Sequence, residues 1–149
     1  MSISITRMKK EDLDDVMEIE HLSFAVPWSR ESFENEIENN RYACYVVAKQ
    51  GYKVAGYGGM WLVFDEAHIT NIAVHPFYRR RGIGRAILKA LIDIAEDNHI
   101  TSMTLEVRES NIAAQKLYAA FDFKVVGRRK NYYADNQEDA LLMTRTIIY

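Results

Sequence analysis

The residues that speak most directly to chemistry are Arg79-Arg80-Arg81-Gly82-Ile83-Gly84, set between an apolar strand (Ile69 to Val74) and a strongly periodic helix (Ile83 to Ala95). Two glycines let the backbone turn tightly. Consecutive amide N–H groups then point outward at a helix N-terminus, where the helix dipole favours an anion and three arginines add charge. Such a junction is a phosphate cradle, and the guest it suits carries a pyrophosphate. The pattern lacks the third glycine and downstream acid of a dinucleotide fingerprint, and also the Gly-Lys-Ser/Thr ending of a nucleotide triphosphate loop.

Two further residues could move protons. Glu106 projects from the polar face of an alternating segment, Ser102 to Arg108, near its C-terminal end and so beside the expected cofactor cleft. The local sequence leaves two readings open: a general base, or half of a structural ion pair with Arg108, two residues on and on the same face. Tyr118 is open in the same way: it could serve as a proton donor, although an aromatic on an apolar helical stripe is more often core than catalyst. Glu66 and His68, at the start of the strand before the glycine turn, offer an alternative base through a water chain, against the plainer reading of a solvated strand end. His75, before Pro76, is read as a loop residue. Four histidines and one cysteine show no metal-ligand spacing, and no metal is expected. Cys44 sits in an apolar run, Tyr42 to Val47, and is read as a small buried core residue.

These residues need a frame. Ile3 and Ile5 alternate with polar neighbours as an opening strand, and a helix from about Glu11 places Leu13, Val16 and Met17 on one face. Phe24-Ala25-Val26-Pro27-Trp28 breaks that helix, and Ser29 is placed to cap a second, acidic one containing Phe33 and Ile37. Tyr42 to Lys49, Val54 to Val63 and Glu66 to Val74 follow as strands, with Gly56, Gly58 and Gly59 marking bends or close backbone approach. Ile83, Ala86, Ile87, Ala90, Leu91, Ile94 and Ala95 recur at helical spacing and give the clearest helix of the chain. After the Ser102 to Arg108 strand come a helix with Ala114, Leu117, Tyr118 and Phe121 as its buried stripe, then strands near Lys124 to Tyr133 and Asp139 to Ile148 about a loop at Ala134 to Glu138.

The predicted order is βααβββαβαββ, an α/β class. The stretch from His68 to Val107 is a crossover unit, so its two strands should be parallel within a mixed sheet, with the cleft at their C-terminal ends. The length, with 48% hydrophobic and 27% charged residues, suits one domain over residues 1–149. No run of about 18 apolar residues could span a bilayer, and Met-Ser-Ile-Ser-Ile lacks the features of a secretory signal, so a cytoplasmic protein without a membrane partner is expected. The formal charge of -2 hides an asymmetry: residues 1–75 hold 12 acids against 7 bases, and residues 76–149 hold 9 against 12. The basic half suits a phosphate-rich cofactor, and the acidic half could attract a basic substrate. Direct nucleic-acid binding is disfavoured, because the basic residues form no extended stripe and the pI is near 6.1.

The segment Arg79-x-x-Gly82-x-Gly84, following a strand and opening a helix, resembles the coenzyme A signature of the GCN5-related N-acetyltransferase (GNAT) superfamily. Leu105-Glu106-Val107-Arg108, Ser110-Asn111, Ala113-Ala114, Leu117-Tyr118, Phe121 and Phe123 are similar to the C-terminal half of the RimI-type ribosomal-protein alanine N-acetyltransferases. The likeness continues through Phe24-x-x-Pro27-Trp28-Ser29, Asn71-Ile72-Ala73-Val74-His75-Pro76, Asn131-Tyr132-Tyr133 and Glu138-Asp139-Ala140, and so covers nearly the whole chain. Arg79 stands where many relatives carry Gln.

The resemblance implies direct transfer from acetyl-CoA to the α-amine of a protein N-terminus, most simply the N-terminal alanine of a small-subunit ribosomal protein. It implies Glu106 as general base, directly or through water, and Tyr118 as the acid that protonates the departing thiolate. Backbone groups of Ile72, Ala73 and Val74 would hold the pantetheine arm and thioester, the segment Arg80, Arg81, Gly82, Ile83, Gly84 and Arg85 the pyrophosphate, and Asn111 a further part of the coenzyme. Phe24, Pro27, Trp28, Tyr132 and Tyr133 are the candidates for gripping the peptide. The alternatives are an acetyltransferase of broader N-terminal, lysine or polyamine specificity, and a coenzyme-binding regulatory module without turnover; the sequence leaves the oligomeric state open.

Overall fold

The computed structural model describes residues 2–147. Strands β1 (Ser4–Arg7), β2 (Ala43–Gln50), β3 (Lys53–Val63), β4 (Glu66–Val74), β5 (Ser102–Arg108), β6 (Lys124–Arg129) and β7 (Ala140–Thr146) form one sheet, ordered β1-β2-β3-β4-β5-β7-β6. Helices α1 (Leu13–Ser23), α2 (Arg30–Glu38), α3 (Ile83–Asp97) and α4 (Ile112–Ala120) complete the predicted order. Every neighbouring pair is antiparallel except β4 and β5, which are parallel as the crossover required.

Alternation sends one side of each central strand into each of two cores. Cys44, Val46 and Ala48 of β2 join Ile83, Ile87, Leu88 and Leu91 of α3, whereas Tyr45 and Val47 join Leu13, Val16 and Ile19 of α1 and Phe33 of α2. Each of the buried Val, Leu, Ile and Phe side chains among them contributes about 1.5–3 kcal/mol. The α3 stripe lies to one side of the predicted one: Leu88 and Ile92 are buried, and Ala86, Ala90 and Ile94 are only half-buried. Gly56 and Gly58 let α3 sit close, since a methyl at Gly58 would stand 2.5 Å from Ile87 Cγ2. Ser29 caps α2 as expected, its hydroxyl accepting from Ser32 N–H at 3.1 Å.

Two strand ends differ from expectation. β6 stops at Arg129, short of Tyr133, because the chain turns at Asn131 with φ +54°. The last strand runs from Ala140 to Thr146, and Ile148 lies outside the described residues. No helix among the described residues is long and apolar enough to cross a membrane.

Candidate active site

The parallel pairing of β4 and β5 covers only Glu66↔Ser102, Ala67↔Met103 and His68↔Thr104. Beyond His68, β4 stays with β3 as far as Val74, and β5 stays with β7 as far as Arg108. The two strands therefore part, and a cleft of about 550 Å³ opens between them. Part of the cause is a bulge: Gly59 pairs with Asn71 but Met60 pairs with Ile69, leaving Thr70 as an extra residue in β4. Thr70 Oγ1 donates to Asn71 Oδ1 at 2.9 Å and stands 3.1 Å from the Tyr45 hydroxyl, which donates to Glu36 at 2.8 Å. His75 N–H donates to Ala55 O at 2.8 Å, so alternation turns the backbone groups of Ile72 and Val74 away from β3 and toward the gap, while Ala73 faces β3.

Past the end of β4 the glycine turn takes the form its sequence required. Arg80 and Gly82 have φ of +64° and +76°, and Gly82 is the residue immediately before α3. Among the described residues the first amide of α3 to reach a carbonyl is that of Ala86, which donates to Gly82 O at 3.0 Å. The amides of Ile83, Gly84 and Arg85 are therefore open to a ligand. Among the described residues no carboxylate pairs with Arg79, Arg80, Arg81 or Arg85; Arg81 lies over the rings of Phe77 and Tyr78, and Arg85 over Phe121. Open amides beside unneutralised guanidinium groups fit a phosphate-bearing group. Asn111 lines the cleft, but its side-chain oxygen caps α4 by accepting from Ala114 N–H at 3.1 Å, which leaves its amide nitrogen for other partners.

Glu106 faces the gap from β5 and is largely shielded, with 13% of its side chain exposed. Arg108 is not its partner. That guanidinium turns to the 130–139 loop, where it meets Asp135 at 3.0 Å and Glu138 at 3.4 Å and covers the Tyr133 ring at 4.0 Å. Glu106 instead has His68 Nε2 3.3 Å from Oε2 and Arg129 Nε 3.3 Å from Oε1. Both partners come from other strands. Glu66, at the exposed start of β4, does not line the cleft, so it and His68 separate. Tyr118 lines the cleft from α4, buried against Phe123 at a 5.9 Å ring separation. Burial, with Tyr133 nearby, pushes its hydroxyl up to about 12, so it holds its proton at neutral pH. Among the described residues that hydroxyl has no hydrogen-bond partner.

Phe24, Trp28, Tyr132 and Tyr133 line the cleft; Pro27, directly before Trp28, does not. Trp28 also packs on Phe33 at 5.3 Å, so it serves the core and the cleft together. Sequence reasoning missed Glu20, a buried carboxylate that borders the cleft, accepts from Trp28 N–H at 2.9 Å and is hydrogen-bonded by the Tyr57 hydroxyl. Its signal was available: Leu13, Val16, Met17 and Glu20 fall at i, i+3, i+4 and i+7, which puts an acid on an apolar stripe. Among the described residues no group of three or more His, Cys, Asp or Glu could hold a metal.

The family model described as Acetyltransferase (GNAT) family matches residues 13–123, most of the chain. The chain belongs to this family. The acetyltransferase is 44% identical over 144 residues to a Bacillus subtilis (strain 168) protein named as a candidate [ribosomal protein bS18]-alanine N-acetyltransferase, with 97% of this chain and 95% of that one aligned. Its fold superposes on the crystal structure of the ribosomal-protein-S18-alanine N-acetyltransferase from Escherichia coli with a TM-score of 0.91 at 36% identity, covering 99% of this chain and 96% of that one. A likeness of fold alone, at TM-score 0.85 and 19% identity over 98% of this chain and 99% of the other, is to Arabidopsis thaliana NAA60, solved in complex with acetyl-CoA.

Proposed function

We propose that this acetyltransferase moves the acetyl group of acetyl-CoA to the α-amine of a protein N-terminus, and that its substrate is the N-terminal alanine of ribosomal protein bS18. The observation that carries the reading is the cleft itself: Glu106 from β5 and Tyr118 from α4 line one gap, and β4, the strand on its other side, leads into the open-amide turn of α3. The likeness to bS18-alanine N-acetyltransferases over almost the full length of both chains supports the choice of substrate. On this reading residues 1–149 act as one cytoplasmic domain.

Acetyl-CoA supplies an activated acetyl thioester. The amides of Ile83, Gly84 and Arg85, with Arg80, Arg81 and Gly82, bind its pyrophosphate. The backbone edge of Ile72 and Val74 takes the pantetheine amides in place of the strand pairing that β5 does not provide, and the Asn111 amide nitrogen is placed for a further contact. Ala73, which faces β3 and is 6% exposed, supports that edge without reaching the gap. Glu106 accepts a proton from the incoming ammonium, directly or through water. Tyr118 keeps its proton, because burial raises its hydroxyl, and donates it toward the sulfur as that atom gains charge.

An α-ammonium of pKa about 8 needs only about 1.4 kcal/mol to become neutral at pH 7, whereas a lysine of pKa about 10.4 needs roughly 4.6 kcal/mol. Glu106 therefore has the smaller task at a chain terminus. Phe24, Trp28, Tyr132 and Tyr133 grip the extended peptide, and the acidic N-terminal half favours basic residues behind the alanine. The test is a peptide copying the bS18 N-terminus, alongside the same peptide with a blocked α-amine and an internal lysine. Fragmentation of the products is expected to place the acetyl group on the alanine nitrogen, with the rate falling at high salt; preferential acetylation of the lysine side chain would sink the N-terminal reading.

A further inference from the structure

His68 occupies the last position at which β4 and β5 still pair, opposite Thr104, and so stands at the throat of the cleft. Its ring touches both sides of a chemical boundary. Nε2 is 3.3 Å from Glu106 Oε2 and Nδ1 is 3.2 Å from Thr104 Oγ1, yet 37% of the His68 side chain is exposed, against 13% for Glu106. The groups around this pair come from four elements. Thr104 and Glu106 belong to β5, and Trp61 of β3 lies 6.2 Å from the imidazole while donating to Glu36 of α2 at 2.6 Å. Arg129 of β6 holds the other Glu106 oxygen, and Tyr133 faces Glu106 from the loop after β6.

A carboxylate that takes a proton at each turnover must lose it before the next. Oε1 of Glu106 is opposite Arg129, a permanent cation that accepts nothing, and the carboxylate as a whole is shielded from water. Oε2 is opposite the His68 imidazole, whose nitrogen can offer a lone pair to a proton. We propose that His68 is the outlet through which Glu106 returns its proton to solvent, a positioning residue acting through Glu106 and not a group that meets the substrate. This rests on Glu106 being the base. The ammonium N–H bond breaks and an O–H bond forms on Glu106. That proton then passes from Oε2 to the lone pair of Nε2, while Nδ1–H donates to Thr104 Oγ1. The carboxylate is regenerated, and the imidazolium gives one proton to water or buffer.

The test compares wild type, His68→Gln, His68→Ala and Glu106→Gln, each checked for folding by circular dichroism, with an alanine-starting peptide and acetyl-CoA in weak and strong buffer. His68→Gln keeps polar atoms near Thr104 and Glu106 but cannot relay a proton. Its kcat is expected to fall roughly tenfold in weak buffer, less than the roughly hundredfold loss of a group that meets the substrate. Both KM values should fall along with kcat, leaving kcat/KM within about twofold of wild type, because the slowed step follows the acetyl transfer and touches neither substrate capture nor the transition state. Raising the buffer should restore His68→Gln, and free imidazole should restore His68→Ala, while wild type responds to neither. Wild-type kcat for His68→Gln in weak buffer, or a loss that neither buffer nor imidazole repairs, would overturn the outlet and leave the base standing if Glu106→Gln is inactive. Full turnover by Glu106→Gln would remove the base, and the outlet with it.

Discussion

Replacing Gly59 by alanine tests how the bulge in β4 is held. A methyl at this position would lie within the Tyr45 ring, 2.7 Å from Cζ and nearer still to two other ring carbons. The ring cannot yield cheaply: Tyr45 is 3% exposed and packs edge-on against Phe33 at 6.3 Å. Its hydroxyl links Glu36 of α2 to Thr70, the extra residue that helps turn β4 away from β5. Overpacking of this kind costs about 1–3 kcal/mol, and displacing the hydroxyl from its partners adds about 1 kcal/mol. Gly59→Ala should therefore lose roughly 2–4 kcal/mol in urea unfolding with an unchanged m-value, and its Tm should drop by roughly 5–15 °C. Because the clash and the bulge share one side chain, acetyl-CoA affinity of the folded variant should fall as well. Adding Tyr45→Leu relieves the overlap, so the double variant should be more stable than the sum of the singles by about 1 kcal/mol or more. Stability within about 0.5 kcal/mol of wild type for Gly59→Ala, the ordinary range for a neutral surface change, would refute the reasoning.

Two predictions concern the glycine turn and the cleft. Gly82→Val puts a β-branched residue at φ +76°, so the turn before α3 should open and acetyl-CoA affinity, read by calorimetry on the folded variant, should fall at least tenfold; unchanged affinity would detach the pyrophosphate from this turn. Tyr118→Phe should lower kcat by roughly a hundredfold with little change in coenzyme binding, measured by thiol release. Because burial raises Tyr118 to about 12 in the folded protein, the stability it contributes is complete below the ordinary tyrosine value near 10 and is lost as pH climbs from there through about 12. Unfolding midpoints across that window should decline less steeply in Tyr118→Phe than in wild type.

Periodicity made the scaffold legible. The α3 helix, the alternation in β5 and the strand-helix-strand crossover that joins β4 to β5 follow from periodic patterns and stand in the structure, although the buried stripe of α3 is shifted to take in Leu88 and Ile92. What the pattern could not supply was contact across the sheet. Glu106 and Arg108 share a face, which made an ion pair between them a natural reading, yet Arg108 is claimed by Asp135, Glu138 and the Tyr133 ring. His68 and Arg129, separated from Glu106 by dozens of residues, come beside it only because β4 pairs briefly with β5 and β6 closes the far edge through β7. The Thr70 bulge was equally hidden: it shifts the alternation by one residue, so that Ala67 and Ile69 share a core with Ile72 and Val74 while Ala73 faces the other, and the unbroken apolar run Ile72-Ala73-Val74 does not show which residue faces which side. Pro27, next to Trp28 in the sequence, does not line the cleft that Trp28 does.

The brevity of the β4 and β5 pairing also bears on how long the protein survives. With only three residue pairs joining these strands, the backbone edge beyond His68 has no paired strand on that side among the described residues, and whatever binds there acts as a removable strand. Binding to the folded chain alone shifts unfolding by mass action, about 2.7 kcal/mol when free ligand stands a hundredfold above its Kd. A cell rich in such a ligand would keep more of these molecules folded, and a starved one would leave more of them open to proteases, before any change in their synthesis. On the proposed reading, in which acetyl-CoA fills this gap, the lifetime of the enzyme and the supply of its co-substrate are tied through one sheet.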